Sequence, residues 1–313
     1  MRVPVDTGAD AGLAWHYGDP LREQRYLDRD GVVDLGNREV VRIEGGDRAE
    51  FLHLLGTQRL DRLTPGVTAS TWFLDAQGHI TSFLALVAAP DAVWGWTEPG
   101  CGAALVDFLN RRRFRMDVRA TMCPGLAVVW SARPGEGIVR SGTPNCLGGY
   151  ELLVPRERVA DCLATGSPAG LWAYTARRIA AGVPRLGADT DKRTLPNEVG
   201  VPSECVALDK GCYPGQETVA KTNSRGAPPR RLVRLHLDGS TELRVAPGTP
   251  VVADGADVGF VGSASYHYHL GPIALALVKR STGEAVTVAG VPARVESLGP
   301  PRPGVRPLPG RIG

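Results

Sequence analysis

Lys210-Gly211-Cys212-Tyr213-Pro214-Gly215-Gln216-Glu217 is the stretch whose residue types and spacing point most directly to chemistry. Glycines and a proline set this closely shape a loop rather than the interior of a helix or strand. Cys212 stands between Gly211 and Tyr213, with Lys210 close by. A glycine neighbour leaves a thiol accessible, and a nearby ammonium favours the thiolate, the reactive form. A small residue tucked under a tight turn satisfies the same pattern, so both a reactive and a structural Cys212 remain open. His267 and His269 alternate along an expected strand and would share a face, a geometry open to a metal. No third ligand accompanies them, and no metal site is expected. Gly135-x-Gly137 lacks the rest of any phosphate-binding fingerprint.

The elements that must position these residues can be read from pattern. The first ~30 residues are polar and irregular and read as a loosely attached arm. Val32-Val33 and Glu39 to Ile43 read as strands. Asp47 with Glu50 opens a helix in the manner of a capping box, with Phe51, Leu52 and Leu55 as its apolar stripe. Thr71 to Leu74 and Ile80 to Val87 form a hairpin about Ala76-Gln77-Gly78. A second helix covers Ala103 to Phe114, with Leu105, Phe108 and Leu109 on one face. Arg111, Arg112 and Arg113 lie at its end, where the helix dipole favours cations. A third runs near Leu171 to Ala181 and stops at Gly182 and Pro184. Beyond Pro228-Pro229 the texture changes to six short β-rich runs separated by glycine turns. These are Arg231 to Leu237, Thr249 to Ala253, Val258 to Ser265, Ile273 to Lys279, Ala285 to Val288 and Pro292 to Val295. Asp254-Gly255 marks a hairpin, and closely spaced strands of this kind suggest a small antiparallel barrel. The expected divisions are an arm over 1–30, an α+β region over 31–228, a barrel over 229–297 and a disordered tail over 298–313.

Composition narrows the classes. The chain has 313 residues, 43% hydrophobic and 22% charged, an ordinary globular balance. A formal net charge of +3 does not call for a nucleic-acid partner, although local cations suffice for anionic small molecules. No stretch approaches the ~20 apolar residues that span a bilayer, and Met1 to Gly18 has no apolar core of a secretory signal. A cytoplasmic protein without a membrane partner is the expectation. Six cysteines occur, none as Cys-x-x-Cys, and reduced thiols are expected. Cys205 and Cys212 lie close in sequence, but two thiols are half of an iron–sulfur ligand set.

KGCYPGQE resembles the signature of the YgfZ-type folate-binding proteins, relatives of the glycine-cleavage aminomethyltransferases. AWHYGDPLREQR (Ala14 to Arg25), GVVDLGNREVVRI (Gly31 to Ile43), RIAAGVPRLGAD (Arg178 to Asp189) and LGPIALALVKR (Leu270 to Arg280) resemble family blocks in the same order. The resemblance implies an α+β, aminomethyltransferase-like folate-binding fold followed by a small antiparallel C-terminal β-barrel. It implies tetrahydrofolate as cofactor and a role in synthesis or repair of iron–sulfur clusters. The partners would be iron–sulfur client or assembly proteins, including tRNA-modifying enzymes.

The resemblance also distributes roles. Cys212, assisted by Lys210, would be the functional thiol, and Tyr213, Gly215, Gln216 and Glu217 would share in folate binding. Glu198, in Pro196-Asn197-Glu198-Val199-Gly200, matches the glutamate of the relatives that holds the pterin, since a carboxylate accepts two parallel hydrogen bonds from an aminopyrimidine edge. A surface carboxylate near a turn is the alternative. Arg225, Arg230 and Arg231 would receive the glutamate tail of the folate or, equally, stand as solvated charges at a domain junction. The relatives carry a catalytic aspartate shortly after a glycine pair. The corresponding Gly78-His79-Ile80-Thr81-Ser82-Phe83 has none, and Asp75 precedes the turn. Glycine-cleavage chemistry is therefore not expected. The chain reads as a folate-dependent maintenance factor. A one-carbon transferase acting on a small amine and a scaffold with a vestigial pocket are the alternatives.

Overall fold

A computed structural model describes residues 1–141, 147–200, 205–225, 228–239 and 245–299, without the side chains of 138–141 and 225. Period-two patterning gives three large β assemblies, besides a two-stranded pairing near the N-terminus. The first is an antiparallel five-stranded sheet in the order Thr68–Leu74, Ile80–Ala88, Ala92–Thr97, Glu39–Glu44, Arg119–Met122. Helices Arg48–Leu55 and Gly102–Arg112 cover one face, burying Phe51, Leu52, Leu105 and Leu109. The second has the order Ile138–Ser141, Tyr150–Pro155, Leu126–Ser131, Gly31–Asp34, Ser167–Pro168, with a parallel pairing only at its last edge. Helix Leu171–Ala180 buries Tyr174, Ala176 and Ile179, and its residues share a core with the inner faces of both sheets.

The third assembly is a closed six-stranded barrel: Arg230–Leu237, Gly271–Lys279, Ala256–His267, Pro250–Ala253, Ala285–Val288 and Val291–Ser297. All six expected runs are present, each within a few residues of its expected bounds. Closure leaves no strand edge unpaired, and Val233, Leu235, Val261, Ala276 and Val288 fill the interior. Asp254 and Gly255 both take positive φ, 50° and 76°, as a two-residue hairpin turn requires.

Several expectations are corrected. The arm is not loose: Val3–Pro4 pairs with Ala14–His16, and helix Pro20–Tyr26 buries Glu23 and Gln24. Glu23 Oε2 accepts from the Gly170 amide at 2.9 Å, and Asp10 pairs with Arg185. Polar residues here serve the packing instead of avoiding it. Asp47 begins its helix without a side-chain cap, because its Oδ2 accepts the Asp117 amide at 2.7 Å. The loop of the signature ends at Gly215, and Gln216 and Glu217 open helix Gln216–Arg225. His269 lies beyond the strand, which ends at His267. His267 Nδ1 accepts the His269 and Leu270 amides, each at 3.2 Å, so the pair is built into a turn. The tail from 300 lies outside the described residues.

Candidate functional site

A cavity opens where the two sheets, helix Leu171–Ala180 and the segment 183–190 meet. Trp72, Phe83, Trp96 and Tyr174 form aromatic walls, and two buried carboxylates, Glu98 and Glu151, and three arginines, Arg38, Arg178 and Arg185, supply the polar groups. Flat apolar walls with a few fixed polar groups are the composition of a small-molecule site.

Most of the polar groups are held by neighbours. Glu98 Oε2 accepts from Arg185 Nε at 2.6 Å, and Arg185 grips Asp10 with both terminal nitrogens, at 2.6 and 2.8 Å. Burial opposes the Asp10 charge, but the Arg185 fork holds that carboxyl below its ordinary range. Arg178 donates to the Val183 carbonyl and to Asp189, and Asp189 also accepts the Ser263 amide of the barrel. Glu151 accepts the Trp96 indole N–H at 3.1 Å. Burial, with Glu151 nearby, pushes the Tyr174 hydroxyl up to about 12, so it stays a neutral donor at physiological pH.

The signature loop stands outside the cavity lining. Lys210 donates to the carbonyls of His53, Gly56 (2.6 Å) and Gln58 (3.2 Å), at the end of helix Arg48–Leu55. Burial pushes its ammonium down to about 8. Lys210 thus anchors the loop. Cys212 is exposed at the loop tip, and Cys205 is buried in the cavity wall. Tyr213 is buried in the shared core. Gln216 closes the loop on the Lys210 carbonyl at 3.0 Å, and Glu217 is exposed and pairs with Lys221. Gly215 abuts the turn at Asp75 to Gly78, in the hairpin that carries the cavity residues Trp72 and Ile80. Asp75 spends its carboxylate on that turn, accepting the Gln77 and His79 amides and pairing with the His79 ring.

Glu198 is also placed elsewhere. Its carboxylate is buried, accepts Arg230 Nε and Nη2, each at 2.8 Å, and takes the Leu195 amide at 3.0 Å. Arg230 further grips Asp191 with two donors. Arg231 donates to Ser297 and to the Thr282 carbonyl within the barrel. Glu198 and Arg230 therefore join structural units, and Arg231 is bonded inside the barrel. Arg225 ends its helix, and its side chain lies outside the described residues. Reading by local motif missed Arg38, Glu98, Glu151 and Tyr174, which are far apart in sequence and meet only through the sheets. The one local sign was their type: charged residues inside apolar, alternating runs, as in Tyr150-Glu151-Leu152-Leu153.

Comparison with known proteins places this architecture. A solved structure of the glycine cleavage system aminomethyltransferase T from Bartonella henselae superposes with a TM-score of 0.78, covering 93% of this chain and 92% of that one at 18% identity. The chain has the aminomethyltransferase-like fold. Residues 230–301 match the glycine cleavage T-protein C-terminal barrel domain. A putative chloroplastic transferase of Arabidopsis thaliana is 26% identical over 82% of this chain and 68% of its own length. An aminomethyltransferase of Bordetella petrii is 29% identical over 63% of this chain and 64% of the relative. One from Thermotoga neapolitana is 33% identical over 54% of this chain, which spans about half (48%) of that relative. Within the aminomethyltransferase-like fold, the cavity sits where both sheets and helix Leu171–Ala180 converge. No helix among the described residues is long and apolar enough to cross a membrane.

Proposed function

We propose that the chain binds tetrahydrofolate in this cavity and uses it in the synthesis or repair of iron–sulfur clusters in client enzymes, tRNA-modifying ones included. The observation that carries folate binding is Glu151, a buried carboxylate in a cavity walled by Trp72, Phe83, Trp96 and Tyr174. A pterin ring is flat and presents neighbouring N–H donors, so it needs a carboxylate between aromatic faces, and these residues fit it. Glu151 would accept from the aminopyrimidine edge, with Trp96 fixing its orientation. The walls would stack on the ring and keep water from it. When bound, the reduced folate supplies one-carbon or reducing chemistry; the chain's own part is to bind, orient and shield it.

The iron–sulfur role rests on the resemblance of the Lys210 to Glu217 loop to the YgfZ-type signature. Three features of the loop support it. Lys210 and Gln216 hold it rigidly, Cys212 is presented to solvent, and the thiol stands outside the cavity, where a client surface can reach it. A one-carbon transferase acting on a small amine is the second reading, favoured by the aminomethyltransferases among the relatives. Against it, the strand Ile80–Ala88 brings Ile80 and Phe83 to the cavity and no carboxylate.

Calorimetric titration of tetrahydrofolate into the protein tests the proposal. Micromolar binding to wild type is expected, weakened roughly tenfold to hundredfold by Glu151→Gln, the span of a lost charge-assisted hydrogen bond. Undiminished binding to Glu151→Gln, or none to wild type, would overturn it. In cells depleted of the native protein, Cys212→Ser should fail to restore iron–sulfur enzyme activity while still binding folate.

A further inference from the structure

Arg38 is the one cavity guanidinium with a buried N–H that has no partner among the described residues. It is 5% exposed, and an arginine has five N–H donors. Nη1 reaches Asn37 Oδ1 only at 3.4 Å, Nη2 stands 3.7 Å from Glu98 Oε1, and Nε is buried without a partner. The other two each make three short side-chain hydrogen bonds. Arg178 serves Val183, Asp189 and Ser263, and Arg185 serves Asp10 and Glu98. Glu98 gives its other oxygen, Oε2, to Arg185, so it neutralises Arg38 only in part. Burying a cation this loosely satisfied costs stability. Its retention in a cavity wall is explained if a ligand acceptor completes it.

Its position says which acceptor. Trp96 donates its N–H to Glu151 and carries the Arg38 cation 5.1 Å from its ring centroid. One indole thus contacts both a carboxylate and a guanidinium that line the same cavity. The pterin edge has the complementary order, with the 2-amino group and N3–H as donors and the 4-oxo oxygen as adjoining acceptor. We infer that Arg38 is a specificity residue that donates to the 4-oxo oxygen while Glu151 accepts from the neighbouring donors. The inference rests on the folate reading above. It requires the site to reject 4-amino pteridines, because their extra N–H would face a guanidinium and leave donors opposed.

Anaerobic calorimetry with tetrahydrofolate and its 4-amino-4-deoxy counterpart separates the two claims. Wild type is expected to prefer the 4-oxo ligand by about tenfold or more. Arg38→Met should reduce that preference to within about threefold, and Arg38→Lys, which keeps a donor and a charge, should keep part of it. Equal affinity of wild type for both ligands would overturn the assignment and leave the folate site standing. So would an Arg38→Met protein that loses both ligands alike, the mark of a residue that only shapes the cavity. If wild type binds neither, the folate reading falls and this inference with it. Should Arg38→Met fail to fold, wild-type preference and Arg38→Lys still decide.

Discussion

Lys210 shows how a residue read as reactive becomes structural once its neighbours are known. A helix leaves its last carbonyls without partners, and these carry the negative end of its dipole. The Lys210 ammonium sits at the end of helix Arg48–Leu55 and gives its three hydrogens to the carbonyls of His53, Gly56 and Gln58, with the Tyr213 ring 5.1 Å away. Burial lowers its affinity for a proton to a pKa of about 8, so at neutral pH it remains a cation. Replacement by methionine keeps the length and strands three carbonyls, which should cost about 2–4 kcal/mol in denaturant unfolding. Arginine should not restore it, since a planar fork cannot aim three donors into so compact a site. A Lys210→Met protein with an unchanged unfolding midpoint and slope would show that the loop is held by something else.

Between elements, close backbone approach decides what sequence can occupy the junctions. Gly215 has φ 77°, and a Cβ built there would stand 2.7 Å from both the Asp75 carbonyl and Gly78 Cα. Gly255 has nearly the same φ, 76°, but nothing within 4 Å of a Cβ. The pair separates conformational strain from crowding. Gly255→Ala should cost only the left-handed penalty, about 1 kcal/mol. Gly215→Ala should cost at least about 1 kcal/mol more and should speed proteolysis between 208 and 215, because the loop must lift from the hairpin. Equal losses in thermal unfolding would mean that the contact is soft.

Much at this scale was legible in the sequence. Barrel strands are short, alternate in polarity and end in glycine turns, so local pattern suffices for them. The helix after Gly215 was not, because Gln216 to Arg225 has a single fully buried apolar side chain, Val219, and a polar run carries little periodic signal. The cavity was legible only in part. The signature loop drew notice to a segment that supports the site from behind. The residues inside, Arg38, Glu98, Glu151 and Tyr174, come from separate elements and are united by tertiary pairing, which no spacing rule encodes.

Across the whole molecule, the barrel is tied to the remainder by charge. Arg230, the first residue of the barrel, holds Glu198 with two donors and Asp191 with two more. The same Asp191 accepts from Thr194 and the Arg193 amide. Burial raises its proton affinity, but the hydrogen bonds of Arg230 and Thr194 more than offset this and bring its pKa down to about 2. A carboxylate whose folded pKa lies below its unfolded value contributes stability that is complete above about pH 4 and is lost as pH falls through about 2. The full shift would correspond to about 2 kcal/mol, and because the side chain is 38% exposed solvent screening reduces this to about 1 kcal/mol. Unfolding free energy measured from pH 5 down to pH 2 should therefore fall by about 1 kcal/mol more in wild type than in Asp191→Asn. The proton-sensitive partner is then gone while Arg230 still holds Glu198. Arg230→Met should abolish the same increment and, by leaving the buried Glu198 carboxylate unpaired, should also destabilise the protein at neutral pH by about 3 kcal/mol or more. Parallel acid profiles for wild type and Asp191→Asn would show that Asp191 adds nothing to the clamp, and Glu198 would then hold the barrel alone.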